Sequence, residues 1–390
     1  MIFQVSLNRK NFFVVLSVVL LLYFLVLLYV NLSKLDTLSP ALLAVKQQPP
    51  KDEIIFIGGQ FMHTDYLKTP IQIMQCSYQG KEYNVTITTD KELLKDANMV
   101  LYFDDGPDTF NPVPPVKDKI NMVCLSESIY NTHCLGEKEC ANRFNWTISL
   151  PKDSDIRIHY FMNSLRLLPV GDSFDFQRDV METKIKAKRE ENVGLASWFT
   201  SYCATEGSNR IHYMESLMKY IKVDSYGECL NNIELQGEQR FNTTKKFLEI
   251  AKRKFYFSFE NSMCPEYLSE KAYQCLNSNV VPVIMAHPSA TKLLPTGSYI
   301  YVGDFSSSKE LADYLVYLDQ NDEMYKKYFA YRKDKKNYEQ WIKTFSDKHM
   351  YCDIFTHFQE WKLTPNNYIS TIQPYNKSIE CLDPNGLFKI

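Results

Sequence analysis

The second half of the chain alternates short apolar runs with amphipathic stretches. VGLASWF (193–199), KFYFSF (254–259) and VVPVIM (280–285) are nearly continuous apolar runs, which predicts strands buried on both faces. Between them, RIHYMESLMKYI (210–221) places Ile211, Met214, Met218 and Ile221 at helical spacing. EYLSEKAYQCLNS (266–278) reads as a second helix, with Leu268, Ala272 and Cys275 on its apolar face and Tyr267, Glu270, Lys271 and Gln274 on its polar one. Strands and helices in this order imply βαβ crossovers and a parallel sheet, hence an α/β fold. The first half repeats the rhythm less cleanly: IIFIGG (54–59), NMVLYFDD (98–105) and INMVCLSES (120–128) are predicted strands.

Three segments fall outside that rhythm. FFVVLSVVLLLYFLVLLYV (12–30) carries no charge over 19 residues, enough as a helix to span the roughly 30 Å hydrocarbon core of a bilayer. Arg9 and Lys10 precede it, so residues 1–11 are expected on the cytosolic side, as in a type II anchor. Residues 31–51, closed by Pro49-Pro50, read as a stem, and METKIKAKREEN (181–192) reads as a charged linker between two lobes.

Composition narrows the function. A formal net charge of −2 lacks the basic excess that nucleic-acid binding needs. None of the ten cysteines forms a CxxC pair; four lie in the first half and six in the second, counts that permit disulfides within each half. With N-x-S/T sequons at Asn84, Asn145, Asn242 and Asn376, this suits an oxidising lumen.

Ligands of open α/β sheets bind beyond the carboxyl ends of the strands, near helix N-termini. That rule selects Arg210, opening the 210–221 helix, and Lys271, early in the 266–278 helix, as cations suited to a diphosphate; position alone does not separate them from surface residues. The polar cluster Phe259-Glu260-Asn261-Ser262 ends the strand before Lys271. Glu127 ends the 120–126 strand, where a carboxylate can be a reactive group or a hydrogen-bond anchor. No GxxxxGK[ST] or GxGxxG loop is present. Asp104-Asp105-Gly106-Pro107-Asp108 reads as a turn rather than a metal site, and Cys134 as half of a disulfide, with Cys140 a candidate partner, rather than a nucleophile.

The segment 257–305 (FSFENSMCPEYLSEKAYQCLNSNVVPVIMAHPSATKLLPTGSYIYVGDF) resembles the core motif of the α1,3/4-fucosyltransferases, glycosyltransferase family 10. The matching residues are Phe259-Glu260-Asn261-Ser262, Tyr267, Glu270-Lys271, Val281-Pro282-Val283, Pro295 and Asp304-Phe305. CLSESIYN (124–131), FNWTISLPKDSDI (144–156) and KVDSYGEC (222–229) are similar to further blocks of that family. The resemblance covers roughly residues 100–345. It implies a GT-B architecture of two Rossmann-like lobes: residues 52–180 meeting the acceptor, residues 193–345 holding GDP-fucose, and residues 346–390 a C-terminal tail. It implies inverting transfer of fucose to O3 of a GlcNAc in a glycoprotein or glycolipid glycan, without a metal or other cofactor, by a Golgi membrane enzyme. Carried over by position, Glu127 is the general base, Arg210 and Lys271 clamp the diphosphate, and Asn261, Tyr267 and Glu270 line the donor. Ile129 stands where the family has a proline, Ser269 where it has a threonine, Ala286 for a common glycine and Leu150-Pro151 for Tyr-Arg. The departure at Ile129 leaves one alternative: a catalytically silent glycan-binding relative held in the Golgi.

Overall fold

Strands without a polar edge along their length need cover on both faces, and the apolar runs form the inner strands of two separate sheets. The computed structural model describes residues 53–58, 69–103, 116–132, 141–160, 193–204, 206–234, 243–332, 336, 341, 349–364 and 381–383. The predicted membrane span, stem and linker, the Asp104–Asp108 loop, and Cys134 and Cys140 lie outside these residues. No helix among the described residues is long and apolar enough to cross a membrane.

The first sheet contains β1 (Ile54–Gly58), β2 (Ile71–Tyr78), β3 (Lys81–Thr88), β4 (Met99–Phe103), β5 (Ile120–Cys124), β6 (Trp146–Ser149) and β7 (Ile156–Arg157) in the order β2-β3-β1-β4-β5-β6-β7. Its pairings are parallel except β2–β3, an antiparallel hairpin at the edge. Tyr78 pairs with Lys81, and the two residues between them, Gln79 and Gly80, have φ of 49° and 74°. Two positive φ values make a turn whose twist matches the flanking strands, and Gly80 adopts its value without strain.

The second sheet runs β12-β11-β10-β8-β9, parallel throughout, from β8 (Ala196–Thr200), β9 (Val223–Gly227), β10 (Phe255–Phe259), β11 (Val281–Met285) and β12 (Ile300–Tyr301). Helices α1 (Arg210–Leu217), α2 (Thr243–Ala251), α3 (Glu270–Asn277) and α4 (Ser308–Gln320) alternate with these strands. Trp198, Phe255, Phe257 and Phe259 are fully buried in its core, each contributing about 1.5–3 kcal/mol by leaving water. Beside this core, Arg253 donates to Asp224 at 2.7 Å, to Glu249 at 3.0 Å and to the Tyr226 hydroxyl at 2.8 Å, while Asp224 also accepts from the Gly194 amide. The acidic partners and the tyrosine satisfy a guanidinium that burial would otherwise destabilise.

Two features go beyond the sequence reading. The segment expected as a tail contributes helix α5 (Met350–Leu363), which buries Tyr351, Ile354, Phe355 and Phe358 in the core of the first sheet. Phe355 packs against Tyr83 at 5.1 Å and edge-on to Tyr78 at 6.5 Å. The even cysteine counts do not confine disulfides to the two halves, because Cys76 of β2 bonds Cys352 of α5. The physical reason is the same in both cases: the β2–β3 face has an apolar side that the chain returns to cover. Cys203–Cys229 and Cys264–Cys381 are the other described disulfides, and Cys124 and Cys275 are buried thiols.

A core role for α5 predicts that Phe355→Ala destabilises the protein by about 3–5 kcal/mol. Leu363→Ala, at a side chain 69% exposed on the same helix, stays within about 0.5 kcal/mol. Denaturant titration of both variants checks this; equal small effects would return the segment to the status of a tail.

Candidate active site

The carboxyl ends of β8 and β10 in the second sheet face the segment that leaves β5 in the first. Glu127 lies three residues beyond β5, and its Oε2 accepts hydrogen bonds from Asn261 Nδ2 at 3.1 Å and Tyr267 Oη at 2.8 Å, both from the opposite lobe. The next residue repeats the crossing: Ser262 Oγ meets Ser128 Oγ at 2.5 Å. Two more contacts close the seam, as Glu266 forms an ion pair with Arg157 at 3.0 Å and accepts from the Lys152 amide at 2.9 Å. Tyr160 joins from the first lobe, donating to the Ser126 carbonyl at 2.6 Å.

Gly207 shows how tightly this seam is packed. A Cβ there would lie 2.4 Å from the Asn261 carbonyl oxygen and 3.2 Å from Tyr130 Cδ1, so the backbone approaches Asn261 as closely as a glycine permits.

Arg210 is the first residue of α1 and is buried. Its guanidinium donates to the Phe259 carbonyl at 2.9 Å and the Tyr202 carbonyl at 2.7 Å, fastening together the ends of β8 and β10. Nε has no hydrogen-bond partner among the described residues. Burial shifts Arg210 downward against the pull of Glu260, Tyr267 and Glu127. The Cys203–Cys229 disulfide holds the same loop.

Glu260 has no exposed surface. Its Oε1 accepts from the Ser269 amide at 2.9 Å and from Ser269 Oγ at 3.0 Å, and that hydroxyl accepts from Lys271 Nζ at 2.7 Å. The serine standing where a threonine is usual therefore keeps the hydroxyl that makes the bridge. Oε2 of Glu260 has no hydrogen-bond partner among the described residues and lies 3.5 Å from Lys271 Nζ. Burial raises the Glu260 carboxyl, opposed by Lys271 and Ser269. At Lys271 the opposing forces resolve the other way: burial pulls it down, but Glu260 and Glu270 outweigh this and raise it. Glu270, 3.7 Å from Lys271, is held low because Lys271 and Lys246 outweigh its desolvation.

Glu127, Arg210, Asn261, Tyr267, Glu270 and Lys271 are thus brought together where the two sheets meet. The local structure of one differs from expectation: α3 begins at Glu270, and Tyr267 precedes it in a loop that follows Glu266, at φ 56°. That loop, rather than a shared helix face, aims Tyr267 at Glu127. Sequence reasoning placed Glu260 in the polar cluster after the strand without giving it a role, and did not reach Tyr160 or Lys246. Glu260 carried a signal, a carboxylate directly after a fully buried strand. Lys246, on α2, is lowered by burial and by Lys271 and raised by Glu270; its sequence gives no sign of this.

Removing the Lys271 charge leaves Glu260 buried beside Glu270 without its cation. Lys271→Met is expected to destabilise the protein by about 3 kcal/mol at neutral pH. Without Lys271 the folded carboxyl of Glu260 rises further above its unfolded value, so the penalty grows as pH rises past the unfolded carboxylate range and fades below it. Denaturation curves of both proteins at several pH values check this, and a penalty independent of pH would count against it.

Residues 187–374 match the family model described as glycosyltransferase family 10 (fucosyltransferase), C-terminal. The chain is 33% identical over 251 residues to glycoprotein 3-alpha-L-fucosyltransferase A of Drosophila melanogaster, covering 63% of this chain and 46% of that one. It is 32% identical over 227 residues to GDP-fucose protein O-fucosyltransferase 3 of Homo sapiens, covering 57% and 46%. The chain thus spans about half the length of these curated relatives. To 4-galactosyl-N-acetylglucosaminide 3-alpha-L-fucosyltransferase 9 of Rattus norvegicus it is 30% identical over 290 residues, 72% of each chain. A crystal structure of an alpha1,3-fucosyltransferase matches the fold with a TM-score of 0.54 at 16% identity, over 85% of this chain and 94% of that one. With its α/β architecture and the breadth of the rat match, the chain belongs to glycosyltransferase family 10, the fucosyltransferases.

Proposed function

We propose that the protein is an inverting α1,3-fucosyltransferase of GT-B architecture that moves L-fucose from GDP-β-L-fucose to O3 of a GlcNAc in N-glycans or lactosamine-type glycans. Its place is the Golgi membrane, with residues 1–11 cytosolic, residues 12–30 as a single-pass type II anchor and the residues after it lumenal. The observation that carries this reading is the meeting of the two lobes at one cluster: a carboxylate from one lobe, Glu127, is held by Asn261 and Tyr267 of the other, near buried Arg210 and half-buried Lys271.

Inversion takes one in-line displacement. The acceptor hydroxyl attacks the anomeric carbon, the bond to the diphosphate oxygen breaks, and the hydroxyl proton passes to a base. Asn261 and Tyr267 both reach Oε2 of Glu127, which leaves Oε1 to take that proton. Lys271 and Arg210 stabilise the charge developing on the departing GDP, and Glu270, kept ionised by Lys271 and Lys246, is an anionic partner for the sugar as positive charge builds on its ring. The fixed geometry reduces the reorganisation needed on the way to the transition state.

Similarity to the human protein O-fucosyltransferase supports a second reading, in which the hydroxyl belongs to a protein side chain. The silent glycan-binding reading remains tied to Ile129, which is buried in the short turn of helix Ile129–Asn131 beside Ser128.

Residues 52–390, secreted and supplied with labelled GDP-fucose, are expected to fucosylate N-glycan cores or lactosamine in α1,3 linkage, read by mass spectrometry and NMR. Label on folded protein domains and not on glycans would favour the second reading. GDP-fucose binding without transfer to any acceptor would favour the silent one. Glu127→Gln is expected to lower transfer by about 10²–10⁴-fold with donor binding retained; loss of binding instead would assign Glu127 to the donor site.

A further inference from the structure

The fully buried carboxylate of Glu260 has two unlike oxygens. Oε1 is saturated by the Ser269 amide and hydroxyl, whereas Oε2 lacks any hydrogen bond among the described residues and lies 3.5 Å from Lys271 Nζ. Lys271 is therefore engaged before any donor arrives, by Ser269 on one side and by Glu260 and Glu270 on the other. A diphosphate brought to Lys271 competes with Oε2 for the same ammonium, and it adds negative charge next to a carboxylate that water cannot reach. A buried carboxylate that loses its cation and gains an anionic neighbour becomes a stronger base.

We infer that Glu260 is the internal counter-ion of the donor site, a positioning residue that holds Lys271 while the site is empty and takes up a proton on Oε2 when a diphosphate replaces it. The exchange balances: the ammonium turns from Oε2 to a phosphate oxygen, one proton moves from solvent to Oε2, and the net charge of the site changes by less than the charge of the ligand. The Ser269 bridge to Oε1 stays in place throughout, so α3 keeps its start and Lys271 its position.

The groups facing Glu260 set the direction. Lys271, Glu270 and Tyr273 face it from α3, Arg210 from α1, Tyr267 from the preceding loop, Tyr160 from the first lobe and Tyr256 from β10 itself. Of the two cations, Lys271 leads among the charges lowering Glu260, and the tyrosines are all raised and stay neutral. Drawing Lys271 towards a ligand therefore raises the carboxyl of Glu260 above its already elevated resting position. Lys246 of α2 is itself lowered by burial and by Lys271, so its variant serves as the control for uptake at a group other than Glu260.

The inference rests on the donor-site reading and is tested apart from it by calorimetry. GDP-fucose without acceptor is titrated into the secreted protein in buffers of different ionisation enthalpy between pH 5 and 8; its diphosphate, esterified at both ends, does not itself titrate there. Wild type is expected to take up close to one proton per site, with its association constant falling up to tenfold per pH unit. Glu260→Gln, which keeps an acceptor for Ser269, is expected to bind with no uptake and a flat profile. Lys246→Met is expected to retain the uptake, and this comparison stands even if Glu260→Gln does not fold. Binding by wild type without uptake, uptake persisting in Glu260→Gln, or uptake lost in Lys246→Met would each overturn the inference while leaving the donor site intact. Absence of binding in wild type would remove both.

Discussion

Burying a carboxylate forces its surroundings to supply what water would have given, and at Glu260 those surroundings are the site. Strand β10 is buried along its length and is followed at once by Glu260, a carboxylate with no exposed surface. Isolated, such a charge would cost several kcal/mol. Ser269 answers with its amide and hydroxyl, which fixes where α3 begins; Lys271 answers with charge, which fixes the side chain that faces the cleft. The main-chain carbonyl before Glu260 is taken by Arg210, so the start of α1 is referred to the same point. One desolvated group thereby sets the relative positions of two helices and two cations.

A second constraint acts across the lobes. Glu127 and Ser128 are each matched by a polar partner from the segment directly after Glu260, so adjacent polar pairs join the two sheets beside an apolar cluster of Leu150, Ile158, Tyr160 and Tyr267. Hydrogen bonds of this kind contribute modestly to stability but are costly to leave unmade. They favour one relative placement of the lobes in which the candidate base and the cations share a cleft.

What could be read from the sequence follows from how locally each feature is determined. Strands such as VPVIM and FYFSF announce themselves because burial on both faces leaves no polar positions. The β2–β3 hairpin was missed because its exposed edge carries residues such as Lys81 and Glu82, and its turn uses Gln79-Gly80 rather than Asn-Gly or Asp-Gly. The apolar residues of α5 have no partner nearby in sequence, so the segment reads as a tail. At the site, Arg210, Lys271 and Glu127 follow as candidates from their places at the ends of strands and helices, and the resemblance to the family gave Glu127, Asn261 and Tyr267 their roles. The environments of Glu260 and Lys246 depend on side chains from several elements, information that no window of sequence contains.

The return of α5 to the first sheet has a consequence for the order of assembly. Cys76 and Cys352 are 276 residues apart, and the face carrying Cys76, Val85 and Ile87 is covered by side chains that lie beyond the whole second sheet. A chain emerging from the ribosome would present the first lobe's strands early but could not cover them until nearly everything else had been made. The second lobe, whose five strands come from one continuous stretch of chain, is able to form its sheet first although its synthesis starts later. During that interval the half-built first lobe carries an uncovered apolar face and an unpaired thiol at Cys76, and this makes it the part of the molecule most dependent on chaperones and on controlled oxidation.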